Sequence, residues 1–582
     1  MKPLDFGSDG VTGSVNSDGR IIALNFYHPQ QGYVTLTSAV PFPESERYNP
    51  AFVRTYRASL VHEVGFGIQF GQSVTMRNTA LLESAIPQIE LAFSDRKVPI
   101  TTFAYAQGAV QRLNGVARAR WGGTLCLQRC AYTQLTEGGP LPMPPLQMRV
   151  FAQDGLLIIH NPVLGAAVAV SGLDVSTFAA QEADRPLALD LPLLSETISY
   201  GIGLTIDAAA ANARRLLRYS NVDDVLAHWR DLLHNLPADP LLRRGIVYGR
   251  MMAIPVDEGI CLLTDHMLLP LSWSRDAYFA ARALLSAGQP EIVRRHLLWT
   301  FETSQRREGI WARCYLANGV VKDEAYQLDQ QLYPLLELAE YLLETDDQMT
   351  AARLTPHIEA VLSALEARRK PGTLLFSTDE TPADDPIALP YHFSSHVLLW
   401  HTLNKLCELG AAGNWAERLS ELKQTIATTF ITQHEGRSIY VYATDGAGRF
   451  HFYHDANDFP LALAPAWGFV SSDDPVWRAT IDFAFSPRNR GGFYDRHLGS
   501  VHSPAPWALG DVQELFIARA LGDVARADHA RASLHRVAQI DGALPEAYDS
   551  TTGDVFSRTW FLWPNAAYAC AELGAFDRHT TP

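Results

Sequence analysis

After about residue 240, one stretch after another of this chain repeats its apolar residues at the 3.6-residue period of a helix. The segments 240–254, 276–287, 290–306, 329–345, 347–369, 394–409, 414–432, 459–466, 474–485, 508–521, 523–539 and 560–573 each carry that pattern. Twelve helices joined by alternately short and long loops predict six helical hairpins closed into an (α/α)6 toroid over residues 240–582. An open α-solenoid would supply as many helices, but no fixed-period repeat is visible.

The first part of the chain has a different grammar. Up to about residue 205, Gly, Pro, Asn and Asp punctuate short alternating runs: 21–27, 33–38, 117–131, 146–151, 156–161 and 166–171, with turn signals such as SDG at 17–19, PQQG at 29–32 and TEGGP at 136–140. Short strands without long helices between them predict an antiparallel β-sandwich over residues 1–205. No chemistry is concentrated there, and His62 and Glu63 read as ordinary strand and loop residues. Residues 206–239, rich in Ala, Leu and Arg, read as a helical linker in which Asn221–Asp223 caps the segment 225–236. The expected fold is therefore multidomain, a β-sandwich followed by an all-α toroid.

Composition narrows the function. Of 582 residues, 47% are hydrophobic and 19% charged, as in a well-cored globular protein, and the net charge of −15 argues against nucleic-acid or anionic-membrane partners. No run of about twenty apolar residues is present, so no membrane span is expected. The opening MKPLDFGSDG has neither a basic nor an apolar leader, and a cytoplasmic protein is expected. Cysteines 126, 130, 261, 314, 407 and 570 show no zinc spacing and read as reduced thiols. A homo-oligomer stays open.

The long loops of the helical half carry the unusual residues. Leu271–Phe279 reads LSWSRDAYF, which puts Trp273, Arg275 and Asp276 at a helix start. An Arg beside an Asp can order a loop or hold two vicinal hydroxyls. Tyr391–His396 is YHFSSH, Phe450–Phe459 is FHFYHDANDF, Ser503–Glu514 is SPAPWALGDVQE, and Pro545–Trp563 is PEAYDSTTGDVFSRTWFLW. Taken singly, Trp507 and Trp563 read equally well as core, and the histidines as satisfied loop residues. Recurrence favours function: loop after loop mixes carboxylate, aromatic, amide and imidazole groups, as a polyol pocket requires. Lys322–Thr345 is the sharpest case. Tyr326, Asp329 and Tyr333 precede or open an apolar helical stripe, and Pro334 favours a first-turn position, which leaves Asp329 at the helix mouth. The plain alternative for Asp329 is an N-cap among solvated neighbours.

These stretches resemble a known group. WSRDAYF resembles the WxRD signature of several (α/α)6 glycoside hydrolases. YQLDQQLYPLLELAEY is similar to the Asp-bearing segment of the metal-independent exo-α-mannosidases of glycoside hydrolase family 125. PAPWALGDVQE and PEAYDSTTGDVFSRTWFLWPNAAY resemble that family's closing pattern. Gln330–Gln331 and Ala547–Tyr548 depart from it, and the β-domain resembles glucoamylase-type α-glucosidases. The resemblance implies an exo-acting, inverting hydrolase that releases a terminal hexose, α-mannose ahead of α-glucose, from an oligosaccharide or small glycoside. It implies Asp329 as general acid and Glu546 as general base, facing each other across about 6.5–9.5 Å. Trp273, Arg275 and Asp276 would then hold the terminal sugar, with Trp311, Tyr326, His392, His454, Trp507 and Arg558 as further substrate contacts. No cofactor is implied. DANDF shares part of a calcium loop but lacks its twelve-residue spacing, so no metal is expected either. A glycoside phosphorylase of similar build, a sugar-binding scaffold and an α-solenoid interaction module are the rival classes.

Overall fold

The computed structural model describes residues 2–114, 119–131, 141–219, 222–538 and 541–577. The N-terminal part consists of two antiparallel sheets. One runs Leu4–Ser8, Val11–Val15, Ile21–His28, Gly32–Thr37, Ala119–Arg129, Leu187–Pro192, with Gly67–Phe70 also paired to Ala119–Arg129. The other has nine strands, in the order Gln181–Ala183, Met148–Gln153, Leu156–Asn161, Ala166–Val170, Thr197–Gly203, Gly108–Leu113, Lys97–Ala104, Ile86–Ala92, Met76–Leu82. Phe6, Leu36 and Trp121 from the first sheet and Ile100, Ile159 and Ile198 from the second share one apolar core. Inside it the Trp121 indole donates to the Tyr200 hydroxyl at 2.9 Å, which donates to Gln111 at 2.6 Å, so the buried polar groups are paired across the core.

The expected strands lie within two residues of observed ones, but the sheets hold more strands than the turn signals showed. Residues 117–118, the TEGGP turn and the proposed cap Asn221 lie outside the described residues. One element was not expected at all: a helix, Pro50–Ser59, interrupts the strands. Its start is well specified, with Asn49 accepting from Phe52 N at 3.2 Å and Pro50 at the first helical position.

The segment read as a linker belongs to both halves. Ile206–Leu216 lies flat on the nine-stranded sheet through Ala209, Ala210 and Ala213. The approach is so close that a Cβ on Gly201 would sit 2.1 Å from Ala213 N, which only glycine permits. Val222–Leu233 instead buries Val225, Leu226 and Trp229 in the core of the helical half. Buried contacts fix the halves together: Arg244 pairs with Asp5, Lys2 with Asp541 at 2.8 Å, and His266 with Ser14 at 2.7 Å. Breaking one such buried ion pair costs about 3–5 kcal/mol.

In the helical half, Ser274–Ser286, Leu328–Thr345, Phe393–Glu408, Phe459–Leu463, Ala508–Leu521 and Leu562–Glu572 pack each on the next, and the last on the first. Outside them lie Pro240–Met251, Pro290–Leu298, Trp415–Phe430, Pro475–Ala484 and Val524–Val537, with Gln348–Leu354 and Pro356–Glu366 where one helix was expected. Leu328–Thr345 starts at Leu328, so Pro334 falls in its second turn rather than its first. Tertiary packing has overridden proline's preference: Leu328, Leu332, Leu335 and Leu336 are fully buried. Among the described residues, no helix is long and apolar enough to cross a membrane. The six cysteines are free thiols.

Candidate active site

At one end of this assembly lies a cavity of about 1270 Å3. Its floor is the start of helix Ser274–Ser286. Trp273, just before it, donates its indole N–H to Asp384 Oδ2 at 3.1 Å. Arg275 is buried and works as a hub: Nη1 reaches Asp329 Oδ2 at 2.9 Å and Gln327 at 3.2 Å, Nη2 reaches Asp384 Oδ1 at 3.2 Å, and the guanidinium lies 4.9 Å over Trp563. Asp276 accepts from the Thr264 hydroxyl, and burial, against the pull of Arg275 and Arg558, raises its pKa to about 6.

The opposing wall comes from the closing segments of the chain. Glu546 lines the cavity and accepts from Ser557 Oγ at 2.7 Å and Ser503 Oγ at 3.3 Å, while Arg558 Nη1 stands 3.5 Å away. Arg558 also donates to Thr264 Oγ1 at 3.2 Å and covers the Phe561 ring at 4.0 Å. Its φ of +44° is left-handed, a costly conformation for a bulky residue. Trp507 caps helix Ala508–Leu521 from the cavity side and bonds to Ser503 O at 2.9 Å.

Segment 379–386, DETPADDP, forms a third side, and nothing in the sequence reading had singled it out. Asp384 also has a left-handed backbone (φ +64°) and accepts from Trp273, Arg275 and Gln327, the last at 2.7 Å. Although burial raises its pKa, Arg275, Arg313 and these donors more than offset that, and Asp384 titrates below the usual carboxylate range. Asp385 accepts from His502 Nδ1 at 3.2 Å. Burial pulls the His502 ring down, but the bond to Asp385 and the nearby Glu546 and Asp384 charges lift it to about 9, so it is an imidazolium at neutral pH. Glu380, bonded to Arg313 at 2.6 Å, is pushed up by burial to about 7.

Of the residues expected from sequence, Trp273, Arg275, Asp276, Tyr326, Trp507, Glu546 and Arg558 all border this cavity. Asp329, Trp311, His392 and His454 are not among its lining residues. Asp329 is buried behind Arg275 as its ion-pair partner. Trp311 is 1% exposed and clasped through its backbone by Gln331, whose Oε1 accepts at 2.7 Å and whose Nε2 donates at 2.8 Å. His392 and His454 sit 3.2 Å and 3.5 Å from Asp458 in a buried cluster. His62, read as an ordinary loop residue, does border the cavity, as do Arg54 and Arg57. The β half therefore borders the cavity, a point the sequence left open.

Comparison with known proteins covers part of this site. Residues 364–572 match the family model of the metal-independent α-mannosidases, glycoside hydrolase family 125. The match takes in Asp384, Asp385, Glu546 and Arg558 and starts after Asp329. The chain is 27% identical over 224 residues to the Meiotically up-regulated gene 157 protein of Schizosaccharomyces pombe, over 34% of this chain and 41% of that protein. It thus spans about two fifths of that curated relative. A Streptococcus pneumoniae metal-independent α-mannosidase, solved in a non-productive complex with α-1,6-mannobiose, superposes with a TM-score of 0.51 at 18% identity, over 61% of this chain and 98% of that one. A bacterial glucoamylase complexed with acarbose superposes with a TM-score of 0.65 at 12% identity, over 99% and 94%. The fold is that of the six-hairpin glycosidases, and the likeness to glucoamylase extends through the β half.

Proposed function

We propose that this protein is an exo-acting, inverting α-glycoside hydrolase that releases a terminal hexose, α-mannose first, from an oligosaccharide or small glycoside. The observation that carries the reading is one cavity in which the Trp273–Asp276 floor, the Asp384–Asp385 pair and Glu546 come together. The six-helix cycle is its (α/α)6 toroid and the paired sheets its β-sandwich, with residues 206–239 between them. Inverting hydrolysis needs an acid to protonate the departing oxygen and a base to activate water on the other face of the sugar. Glu546 is the base: the Ser503 and Ser557 hydroxyls orient it, and the Arg558 guanidinium stands 3.5 Å away.

The acid is placed at Asp385 of the Asp384–Asp385 pair rather than at Asp329, because Arg275 and Gln327 hold Asp384 in its charged form. A proton donor has to reach the glycosidic oxygen, and Asp384 and Asp385 border the cavity where Asp329 does not. Asp329 instead holds Arg275, which with Trp273 and Asp276 grips the hydroxyls of the terminal sugar. The α-glucoside alternative draws support from the whole-chain likeness to glucoamylase. Aryl α-mannosides and α-glucosides, followed by proton NMR of the first sugar released, test the reading. The β-anomer of mannose is expected first. No release from any α-glycoside would refute hydrolysis, and the α-anomer would refute inversion.

A further inference from the structure

The Pro50–Ser59 helix uses two adjacent stripes. Val53 and Tyr56 are buried, with Tyr56 edge-on to Phe42 at 5.1 Å. One position along, Arg54, Arg57 and Ala58 share the neighbouring face at i, i+3 and i+4 and border the cavity. The turn that follows adds Val61 and His62. None of these residues lies in the span that matches the mannosidase family.

The other cations of the cavity are each matched to a carboxylate. Arg275 pairs with Asp329 and Asp384, Arg558 stands 3.5 Å from Glu546 and 3.9 Å from Asp265, Lys2 pairs with Asp541, and His502 with Asp385. Among the described residues, Arg54 and Arg57 have neither an ion pair nor a side-chain hydrogen bond. Glu546 lies in the field of Arg57, yet its oxygens are engaged by Ser503, Ser557 and Arg558. Burial and then the like charge of Arg558 lower the Arg57 pKa, while the Glu546 and Asp265 charges pull it up. Arg54 is exposed and Arg57 half-buried, so both guanidinium groups are open to a ligand entering the cavity. A guanidinium offers a planar fork of donors suited to phosphate or carboxylate oxygens, and such charge-assisted bonds are the strong ones.

We propose that Arg57, with Arg54 beside it, forms a subsite for an anionic group, so that the preferred substrate is an α-glycoside bearing a phosphate or carboxylate close to the scissile bond. The inference rests on the glycosidase reading of the same cavity. The same donors would take free inorganic phosphate, and the experiment separates the two sources.

The test compares wild type, Arg57→Gln, Arg57→Lys and Arg54→Gln on 4-nitrophenyl α-mannoside and on its 6-phosphate. Isothermal titration calorimetry with inorganic phosphate runs alongside. A charge-assisted bond contributes enough that Arg57→Gln should lower the kcat/KM ratio of the phosphorylated to the neutral glycoside about tenfold or more, with Arg57→Lys between. Calorimetry should show phosphate binding that weakens in step. If turnover of the neutral glycoside rises with added phosphate and Arg57→Gln abolishes the rise, free phosphate is the ligand and the phosphorylated-substrate form is overturned. An unchanged ratio together with unchanged phosphate binding overturns the subsite. If no α-glycoside is turned over but Arg57→Gln still loses phosphate binding, the hydrolase reading fails while the anion site stands.

Discussion

Two carboxylate-bearing regions compete for the same role, and they differ in how they meet the cavity. At the mouth of helix Leu328–Thr345, Asp329 is 3% exposed, and its carboxylate is taken up by Arg275 at 2.9 Å. In segment 379–386, Asp384 and Asp385 border the cavity, one in a strained left-handed conformation and the other bonded to a protonated imidazole. Asp329 sits in a recognisable pattern because it anchors the arginine that shapes the site. The loop aspartates are positioned by Gln327, Trp273 and His502, which reach them from distant parts of the chain. On the proposed reading, a familiar pattern marks the residue that braces the site, while the reacting group lies in an irregular loop.

The largest expected effect lies on the wall that both regions face. Glu546→Gln should reduce turnover about a hundred- to ten-thousand-fold on every substrate, whatever its leaving group, with an unchanged melting temperature. Steady-state kinetics together with a thermal melt check this. A mild effect would remove the base and leave the comparison without a reaction to explain.

Asp329→Asn should act next, and mainly on stability. The amide keeps one acceptor for Arg275 but not the charge, so about 2–3 kcal/mol should be lost in urea denaturation. Its kcat/KM should fall by one common factor across leaving groups. Unaltered stability would contradict the bracing role.

The smallest effect is on pH. His502 has its pKa raised in the folded protein to about 9, from an ordinary value near 6.5. Its ion pair with Asp385 is therefore at full strength below about pH 6.5 and is lost as pH rises through about 9. The alkaline limb of the kcat/KM profile should fall near pH 9, and His502→Asn should displace it. A limb that stays in place in the variant would separate His502 from the loop's chemistry.

Much of the helical half was legible because its signals are local. The apolar period located the helices to within a few residues, and the aromatic Arg–Asp start at Trp273–Asp276 and the Glu546–Arg558 segment both border the cavity. His392 and His454 fall outside the cavity lining for a physical reason: a His-rich, aromatic loop looks the same whether its polar groups meet a ligand or, as here, a buried Asp458. Trp311 is buried outside the cavity lining, since a tryptophan's stacking surface serves a core equally well. The Pro50–Ser59 helix was lost among strand-like neighbours, although Asn49–Pro50 carries the proper start signal. Its arginines gain meaning only when the two halves of the molecule pack together.

The most direct test is a leaving-group series of aryl α-mannosides measured on Asp329→Asn, Asp384→Asn and Asp385→Asn. Aglycones that leave easily need little protonation, so loss of the acid is felt least on them. The account predicts that Asp385→Asn recovers steeply as the aglycone becomes more acidic, while Asp329→Asn shows a flat, uniform loss. A steep recovery in Asp329→Asn, with both loop variants flat, would contradict it.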